Sequence, residues 1–324
     1  MKYIVLSAGQ EWNDYCWENA QKNQNIRFIK SLFKSYWLKF GIKLWNLRLM
    51  RINSLIRLMW FPFFKSQIKI TNEETCLIIY DWNTITLSRY VIQLFREHFP
   101  NLKIVYIFTN FTKVSGARTF GLLDNLKQDF DIVFAFDPID SKKYGFEYSR
   151  LIYEPDTLKN TKPAVSYDLF YVGQAKDRYP KLIEIFKKAI QQGLKCKFFI
   201  TGVSSEDRYE HPDIIYNKQL PYSKVLDYIK KSRCLVDAIQ GESSGMTIKT
   251  SESVVWNKKL ITTNDNVVNE PYFNPSNIMV YLPSSDLAQF IKAPFIPYSD
   301  KDKFHFSSNR LFDQIEMLVN KQDD

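Results

Sequence analysis

Residues 240–255 read QGESSGMTIKTSESVV, and this stretch decides the fold class. A strand-like run at 234–237 leads into it, and a second strand-like run at 259–264 follows it. The order is therefore strand, small polar loop, helix and strand, which is typical of an α/β unit with a parallel sheet. In such a sheet, a loop that leaves a strand and opens a helix presents free backbone N–H groups, and we expect it to bind an anion.

The same alternation runs through most of the 324 residues. Predicted strands lie at 2–6, 76–80, 103–108, 131–135, 151–154, 167–172, 195–200, 214–215, 234–237 and 259–264. Predicted helices lie at 88–99, 119–128, 179–191, 223–232 and 303–318. The polar run at 155–163 is predicted to be a linker. We therefore predict an α/β fold with two Rossmann-like domains, at 1–157 and 164–302, which face each other across a cleft and are followed by a closing helix at 303–324.

Positive charge is concentrated in one segment. The formal net charge is +9, yet no Asp or Glu occurs between Glu18 and Glu73, where eleven Lys and Arg residues lie. Residues 25–65 combine this charge with apolar side chains at near-helical spacing and with Trp37, Trp45 and Trp60. An apolar face with cationic flanks favours contact with an anionic membrane surface, although one or two core helices with solvated lysines would look alike. The confinement of the charge argues against nucleic acid.

Cysteine and histidine usage bounds the chemistry. The four cysteines lack CxxC spacing and sit mostly in apolar runs, which favours buried thiols in a reducing cytoplasm. The three histidines are isolated, so a histidine metal site is not expected. No run approaches the length of a membrane span, and residues 1–9 are too short for a signal peptide.

Two loops carry candidate ligand contacts. Gly173 ends a predicted strand, and Lys176 and Arg178 follow at once, which suits phosphate but also suits a solvated surface. Lys249 lies in the first turn of the predicted helix, where a cation is unfavourable for the helix dipole, so we expect an anionic partner. Glu252 could accept both hydroxyls of a ribose, or it could be an ordinary helix residue paired with Lys249.

These stretches carry a family resemblance. The runs YVG at 171–173, YSKVLDYIKKSRCLVD at 222–237, GMTIKTSES at 245–253 and NKKLITTN at 257–264 resemble bacterial GT-B type glycosyltransferases of surface polysaccharide biosynthesis, which build capsule, exopolysaccharide or lipopolysaccharide. The resemblance implies that 173–178 and 245–250 face a diphosphate, that Glu252 holds the donor ribose and that 217–222 lies by the base. The donor-binding residues expected are Gly173, Gln174, Lys176, Arg178, Gly202, Tyr222, Ser244, Gly245, Met246, Thr247, Lys249, Thr250 and Glu252.

The Glu-x7-Glu pair of retaining enzymes is missing, since Ser244 stands eight residues before Glu252, and this argues against a retaining mechanism. An inverting enzyme needs a base in the N-terminal domain, and Asp81 at a predicted strand end is the first candidate. Asp137 and Asp140 are alternatives, and each of the three could instead cap a turn or a helix. We expect no metal and no cofactor, since neither Asp-x-Asp triplet, 129–131 or 300–302, suits a metal-bound diphosphate.

The sequence therefore predicts a glycosyltransferase of the hexosyltransferase class at the inner face of the cell membrane. It would move a sugar from a UDP- or GDP-linked donor to a hydroxyl of a lipid-linked surface glycan. A polyol-phosphate or teichoic-acid type transferase remains an alternative, as does a non-enzymatic basic protein that binds a membrane or a partner. Donor sugar, acceptor, base and stereochemistry are left open.

Overall fold

The computed structural model describes residues 1–7, 10–30, 61–62, 65–70, 74–81, 89–110, 112, 126–157, 163–241 and 243–323. The chain divides into two compact units. The first comprises Met1–Pro155 and Ser308–Asp324, and the second comprises Asp156–Ser307.

The first unit is built on a six-stranded parallel sheet. Its strands are β1 Lys2–Leu6, β2 Ile26–Ile29, β3 Thr75–Tyr80, β4 Leu102–Ile107, β5 Ile132–Ala135 and β6 Glu147–Tyr148, in the spatial order β2-β1-β3-β4-β5-β6. Its described residues include the helices Glu11–Cys16, Arg89–His98, Leu126–Asp129, Pro138–Tyr144 and Ser308–Asp323. Every residue of β3 is buried, as expected for a central strand that is covered on both faces.

The second unit repeats this plan with six more parallel strands. They are β7 Tyr167–Gln174, β8 Cys196–Thr201, β9 Ile214–Tyr216, β10 Ser232–Asp237, β11 Lys259–Thr262 and β12 Ile278–Val280, in the order β12-β11-β10-β7-β8-β9. The helices are Tyr179–Gln191, Tyr222–Lys230, Ile248–Val255, Leu287–Lys292 and Asp300–Phe304. The core between sheet and helices is rich in aromatic side chains, including Phe186 and Phe198, which meet edge to face.

The strand orders place a topological switch point in each unit. In the first unit the chain moves from β1 to β2 on one side and then returns to β3 on the other side of β1. In the second unit it moves from β7 outward to β9 and then returns to β10 on the other side of β7. Ligands of open α/β sheets bind outside the carboxyl ends of the two strands that flank such a point. The strand ends of interest are therefore those of β1 and β3, and those of β7 and β10.

Most predicted strands and helices are present among the described residues, with several differences. The helix predicted at 119–128 falls mainly on 119–125, which lie outside the described residues. The strand predicted at 151–154 is absent, and β6 closes the first sheet instead at Glu147–Tyr148. The closing helix predicted from 303 is two helices, because a break at 305–307 separates Asp300–Phe304 from Ser308–Asp323. The sequence did not predict the Pro138–Tyr144 helix, which Asp137 caps through its side chain.

The basic aromatic segment at 25–65 falls mainly on residues 31–60 and 63–64, which lie outside the described residues. Its described ends are structural. Ile26–Ile29 forms the edge strand β2, and Phe61 is buried against Phe95. Among the described residues, every helix is too short or too polar to cross a bilayer.

Candidate functional site

Two loops flank the switch point of the second unit, and hydrogen bonds join them. The β7 loop is residues 174–178, and the β10 loop is residues 238–247, of which Glu242 lies outside the described residues. The Asp177 carboxylate accepts the Gly241 N–H at 2.7 Å, and Lys176 Nζ donates to Gln240 Oε1 at 2.7 Å. The two loops that the sequence marked separately are therefore one hydrogen-bonded surface at the strand ends.

Arg178 links the residues that follow β7 to those that follow β10 by hydrogen bonds. Its guanidinium donates from Nε to the Gln174 carbonyl at 2.9 Å and from Nη1 to the Ala238 carbonyl at 2.9 Å. Lys176, by contrast, is exposed and has a left-handed backbone with φ of 46°. Both cations predicted to face phosphate therefore join the loops, Arg178 through two backbone carbonyls and Lys176 through the Gln240 side chain, but Lys176 does so at the exposed surface.

Gly173 is placed for close packing at the end of β7. A Cβ at this position would lie 2.6 Å from the Tyr171 hydroxyl oxygen, so any larger residue would displace that ring. The Tyr171 hydroxyl in turn donates to the Gln174 carbonyl at 3.2 Å. The absence of a side chain at Gly173 thus lets Tyr171 support the β7 loop from below.

The β10 loop ends in a capped helix. Thr247 is the N-cap of the Ile248–Val255 helix, and its hydroxyl accepts the Lys249 N–H at 3.0 Å. Asn264, buried at the end of β11, donates from Nδ2 to the carbonyls of Ser244 and Gly245, both at 3.2 Å. Ser244 and Met246 are themselves buried, so the small residues of this stretch pack tightly around the helix start.

Glu252 is the most buried of the predicted contacts. Its side chain is fully buried, with Oε1 accepting the Tyr222 hydroxyl at 2.7 Å and Oε2 accepting Lys249 Nζ at 2.6 Å. The Lys249 side chain retains 12% of its exposure. The sequence offered ribose binding and a pairing with Lys249 as alternatives, and the pairing exists. Because Glu252 is fully buried, a ribose could contact it only if the side chains that cover it moved.

Gly202 and the segment 217–222 lie on the other side of β7. Gly202, with φ of 77°, donates its N–H to Asn217 Oδ1 at 2.9 Å, and Asn217 Nδ2 donates to the Val203 carbonyl at 2.8 Å. These bonds fasten the loop after β8 to the turn after β9. Tyr222, at the end of that segment, points to Glu252 and so links it to the Ile248–Val255 helix.

The acidic residues of the first unit differ in their engagement. Asp81 directly follows β3 at the switch point, is buried, and accepts the Thr109 hydroxyl at 2.8 Å. Asp137 is the N-cap of the Pro138–Tyr144 helix, which is the capping role that the sequence offered for it. Asp140 accepts the Thr112 N–H at 2.8 Å.

The structure adds Asp14 to this set. Ser7, which follows β1, donates its hydroxyl to the half-buried Asp14 carboxylate at 2.6 Å. Asp14 therefore lies at the carboxyl end of β1, and the parallel register of β1 with β3 brings that end beside Asp81. Sequence reasoning missed Asp14 because it did not predict the short Glu11–Cys16 helix that carries it.

The Asp-x-Asp triplets serve local structure. Asp131 accepts the Ile104 N–H at 2.6 Å and pairs with Arg96 at 3.0 Å. Asp302 forms a capping box with Ser299. In the part of the chain that the structure describes, no group of three or more His, Cys, Asp or Glu side chains is arranged to hold a metal ion.

A scan against protein-family models and a search of the curated proteins found no match. Solved structures do match over nearly the whole chain. AviGT4, a glycosyltransferase involved in avilamycin A biosynthesis, aligns with a TM-score of 0.55 at 9% identity and covers 99% of both chains. The lipopolysaccharide outer core galactosyltransferase WaaB aligns with a TM-score of 0.46 at 15% identity over 99% of this chain and 100% of its own. The two parallel six-stranded sheets and the full-length likeness to AviGT4 show that the chain has the GT-B fold.

Proposed function

We propose that this protein is a glycosyltransferase that moves a sugar from a nucleotide-sugar donor to a hydroxyl group of a glycan. One observation carries the proposal. The β7 and β10 loops flank the switch point of the second sheet and are joined by hydrogen bonds into one surface, and the β10 loop leads into the Ile248–Val255 helix. This is where an α/β sheet binds a nucleotide, because helix N–H groups and the positive end of the helix dipole meet the diphosphate there.

The donor diphosphate would lie against the exposed Lys176 and the N-terminus of the Ile248–Val255 helix. Lys176 can supply an exposed ammonium, and the helix start can supply backbone N–H groups to the charge that develops on the leaving group. Arg178 would act indirectly, since its guanidinium holds the two loops. The Glu252, Lys249 and Tyr222 cluster would meet the ribose by exchanging one internal hydrogen bond for a ribose hydroxyl.

We propose Asp81 as the base that deprotonates the acceptor hydroxyl in an inverting reaction. Its carboxylate directly follows β3 at the switch point of the first unit and accepts a hydrogen bond from the Thr109 hydroxyl. Asp14 is the second candidate, because it lies at the neighbouring strand end and is less buried than Asp81.

For the acceptor we propose a lipid-linked surface glycan, reached at the cytoplasmic face of the cell membrane. The support is the acid-free basic aromatic segment, whose composition suits anionic headgroups. Neutralising Lys39, Lys43, Arg48 and Arg51 together should release the protein from vesicles that contain anionic phospholipid. If the variant sediments with these vesicles as the unchanged protein does, the segment is not a membrane contact.

A donor panel tests the enzymatic proposal. UDP-, GDP-, CMP- and dTDP-linked sugars are titrated into the protein by calorimetry, and the product released during turnover is identified. Binding of one donor class supports a glycosyltransferase if turnover releases a nucleoside diphosphate from a UDP-, GDP- or dTDP-linked sugar, or CMP from a CMP-linked sugar. Release of a nucleoside monophosphate from UDP-, GDP- or dTDP-linked substrates, or from a CDP-linked polyol, would point to the polyol-phosphate type. Absence of binding to the whole panel would refute the proposal and favour a non-enzymatic role.

A further inference from the structure

A buried carboxylate that the predicted donor contacts do not include lies directly beneath the proposed donor site. Asp237 is the last residue of β10, at the switch point, and is only 3% exposed. Its Oδ2 atom lies 3.5 Å from the Thr250 hydroxyl and 3.4 Å from the Thr262 hydroxyl. The Thr247 hydroxyl also hydrogen-bonds this carboxyl group. One carboxylate thus contacts the cap and first turn of the helix as well as the end of β11.

The direction of these hydrogen bonds follows from the backbone. The Thr247 hydroxyl already accepts the Lys249 N–H at 3.0 Å, and the Thr262 hydroxyl already accepts the Asn264 N–H at 3.1 Å. A hydroxyl group has one proton, and in each of these threonines that proton is free to form a hydrogen bond to the Asp237 carboxylate. Two backbone N–H groups are therefore linked to one carboxylate, each through a threonine hydroxyl that accepts from the N–H group and donates to Asp237. The backbone N–H group of Asn264 is one of the two, and its side-chain amide donates to the Ser244 and Gly245 carbonyls of the β10 loop.

We propose that Asp237 is a positioning residue, which in its ionised form orders the β10 loop and the N-terminus of the Ile248–Val255 helix to receive the donor diphosphate. The inference rests on the proposed function for the identity of the ligand. It does not require Asp237 to touch the donor, because the threonine hydroxyls transmit its effect. Thr262 lies on strand β11 and not on the helix, so the carboxylate links the start of the helix to the sheet.

The charges that face Asp237 explain why its ionisation matters. Burial raises the pKa of Asp237 above its ordinary value, while the Thr247 hydrogen bond and the charges of Arg178 and Lys249 oppose that rise. Tyr171 of β7 also faces the carboxylate. A protonated carboxyl group becomes a donor and forces at least one threonine hydroxyl to turn away. The ordering is therefore present above the raised pKa and is lost as the pH falls through it, at a higher pH than an ordinary aspartate would show.

The first arm of the test needs no ligand. Amide hydrogen exchange is measured on the full chain carrying Asp237→Asn, because an amide keeps the size of the carboxylate and removes its charge. We expect exchange at 244–250 and at Asn264 to quicken by about tenfold, the equivalent of roughly one hydrogen bond. The matched control is Asp168→Asn, since Asp168 lies on β7 at the amino edge of the same sheet and accepts the Lys195 N–H at 3.0 Å.

The second arm measures donor affinity against pH with UDP-glucose or GDP-mannose, whose diphosphates have no group that titrates in the mildly acidic range. The unchanged protein should lose affinity as the pH falls below neutrality, and at a higher pH than an ordinary aspartate would show, whereas Asp237→Asn should bind more weakly at neutral pH and show little dependence on pH. A purely structural role would lower affinity without flattening this profile.

Each outcome decides between the inference and the proposed function. Exchange at 244–250 unchanged in Asp237→Asn, or a pH profile identical to that of the unchanged protein, would overturn the inference. If Asp237→Asn does not fold, Thr262→Val removes a single hydroxyl, and the quickened exchange is then expected at Asn264. If the unchanged protein binds neither sugar nucleotide nor any other donor, the proposed function fails, and the exchange arm still decides whether Asp237 orders the loop.

Discussion

Removing the Glu252 carboxylate should destabilise the second unit strongly. The side chain is fully buried, and its two oxygens hold Lys249 Nζ at 2.6 Å and the Tyr222 hydroxyl at 2.7 Å. Glu252→Ala would leave an ammonium that is only 12% exposed without its counter-charge. Removal of one partner of a buried ion pair costs about 3–5 kcal/mol, which corresponds to a fall in Tm of roughly 6–20 °C for a domain of this size.

The chain contains a matched control for this prediction. Lys181 and Glu184 have the same i, i+3 spacing and the same 2.6 Å distance, but their side chains are 42% and 39% exposed. Glu184 also accepts a tyrosine hydroxyl, that of Tyr281, at 3.0 Å. Burial is the main difference between the two clusters, so Glu184→Ala should lower the unfolding free energy by no more than about 1 kcal/mol.

Urea unfolding followed by circular dichroism, together with thermal unfolding, measures both variants. Changing Lys249 to Met should reduce the effect of Glu252→Ala, because the uncompensated ammonium is then absent. Equal losses for Glu252→Ala and Glu184→Ala would refute the reasoning, since they would mean that the Glu252 pair is solvated. Glu252→Gln, which keeps the volume and one acceptor, is therefore the better variant for testing a ribose contact.

Three further perturbations test other parts of the molecule. Lys176→Gln should raise the KM for the donor by about tenfold, because a charged hydrogen bond to phosphate is lost. It should leave the melting temperature almost unchanged, because the Lys176 hydrogen bond to Gln240 is exposed to solvent. An unchanged KM would remove Lys176 from the donor site. Burial lowers the pKa of Lys258 to about 8, so the folded state binds fewer protons than the unfolded state above that pH. The unfolding free energy of the unchanged protein, relative to that of Lys258→Met, should therefore rise by about 1–2 kcal/mol between about pH 8 and pH 10.4. Urea unfolding of both proteins at the two pH values measures this. The same difference in unfolding free energy at both pH values would contradict it. Asp81→Asn should lower kcat by at least about a hundredfold with little change in donor KM. If Asp81→Asn keeps the wild-type kcat and Asp14→Asn loses it, the base is Asp14 instead.

The sequence predicted the fold class correctly because buried parallel strands have a local signature. The residues of β3 and β10 form short apolar runs that end in polar residues, and the predicted helix at 179–191 matches the Tyr179–Gln191 helix. The prediction failed where an element is short or polar. The two-residue strand β6 and the capped Pro138–Tyr144 helix depend on neighbours that no local pattern reveals.

The candidate site shows the same division. The sequence identified Gly173, Lys176 and the stretch 244–252 as candidate ligand contacts, since glycine, cations and small polar residues next to a strand end suit a phosphate. It did not distinguish Lys176, which is exposed, from Arg178, which holds the Gln174 and Ala238 carbonyls. Both are basic residues in one loop, and only their hydrogen-bond partners separate their roles.

By itself, then, the sequence determined the α/β alternation and the two loops that carry small and basic residues, because both are properties of contiguous residues. The tertiary structure alone decided that these loops lie side by side, since β7 and β10 are neighbours in the sheet although β8 and β9 separate them along the chain. It also decided that Glu252 is enclosed by Tyr222 and Lys249, and that Asp237 gathers hydroxyl groups from the helix and from β11. Strand order and burial are non-local properties, and they convert a list of suitable residues into a site.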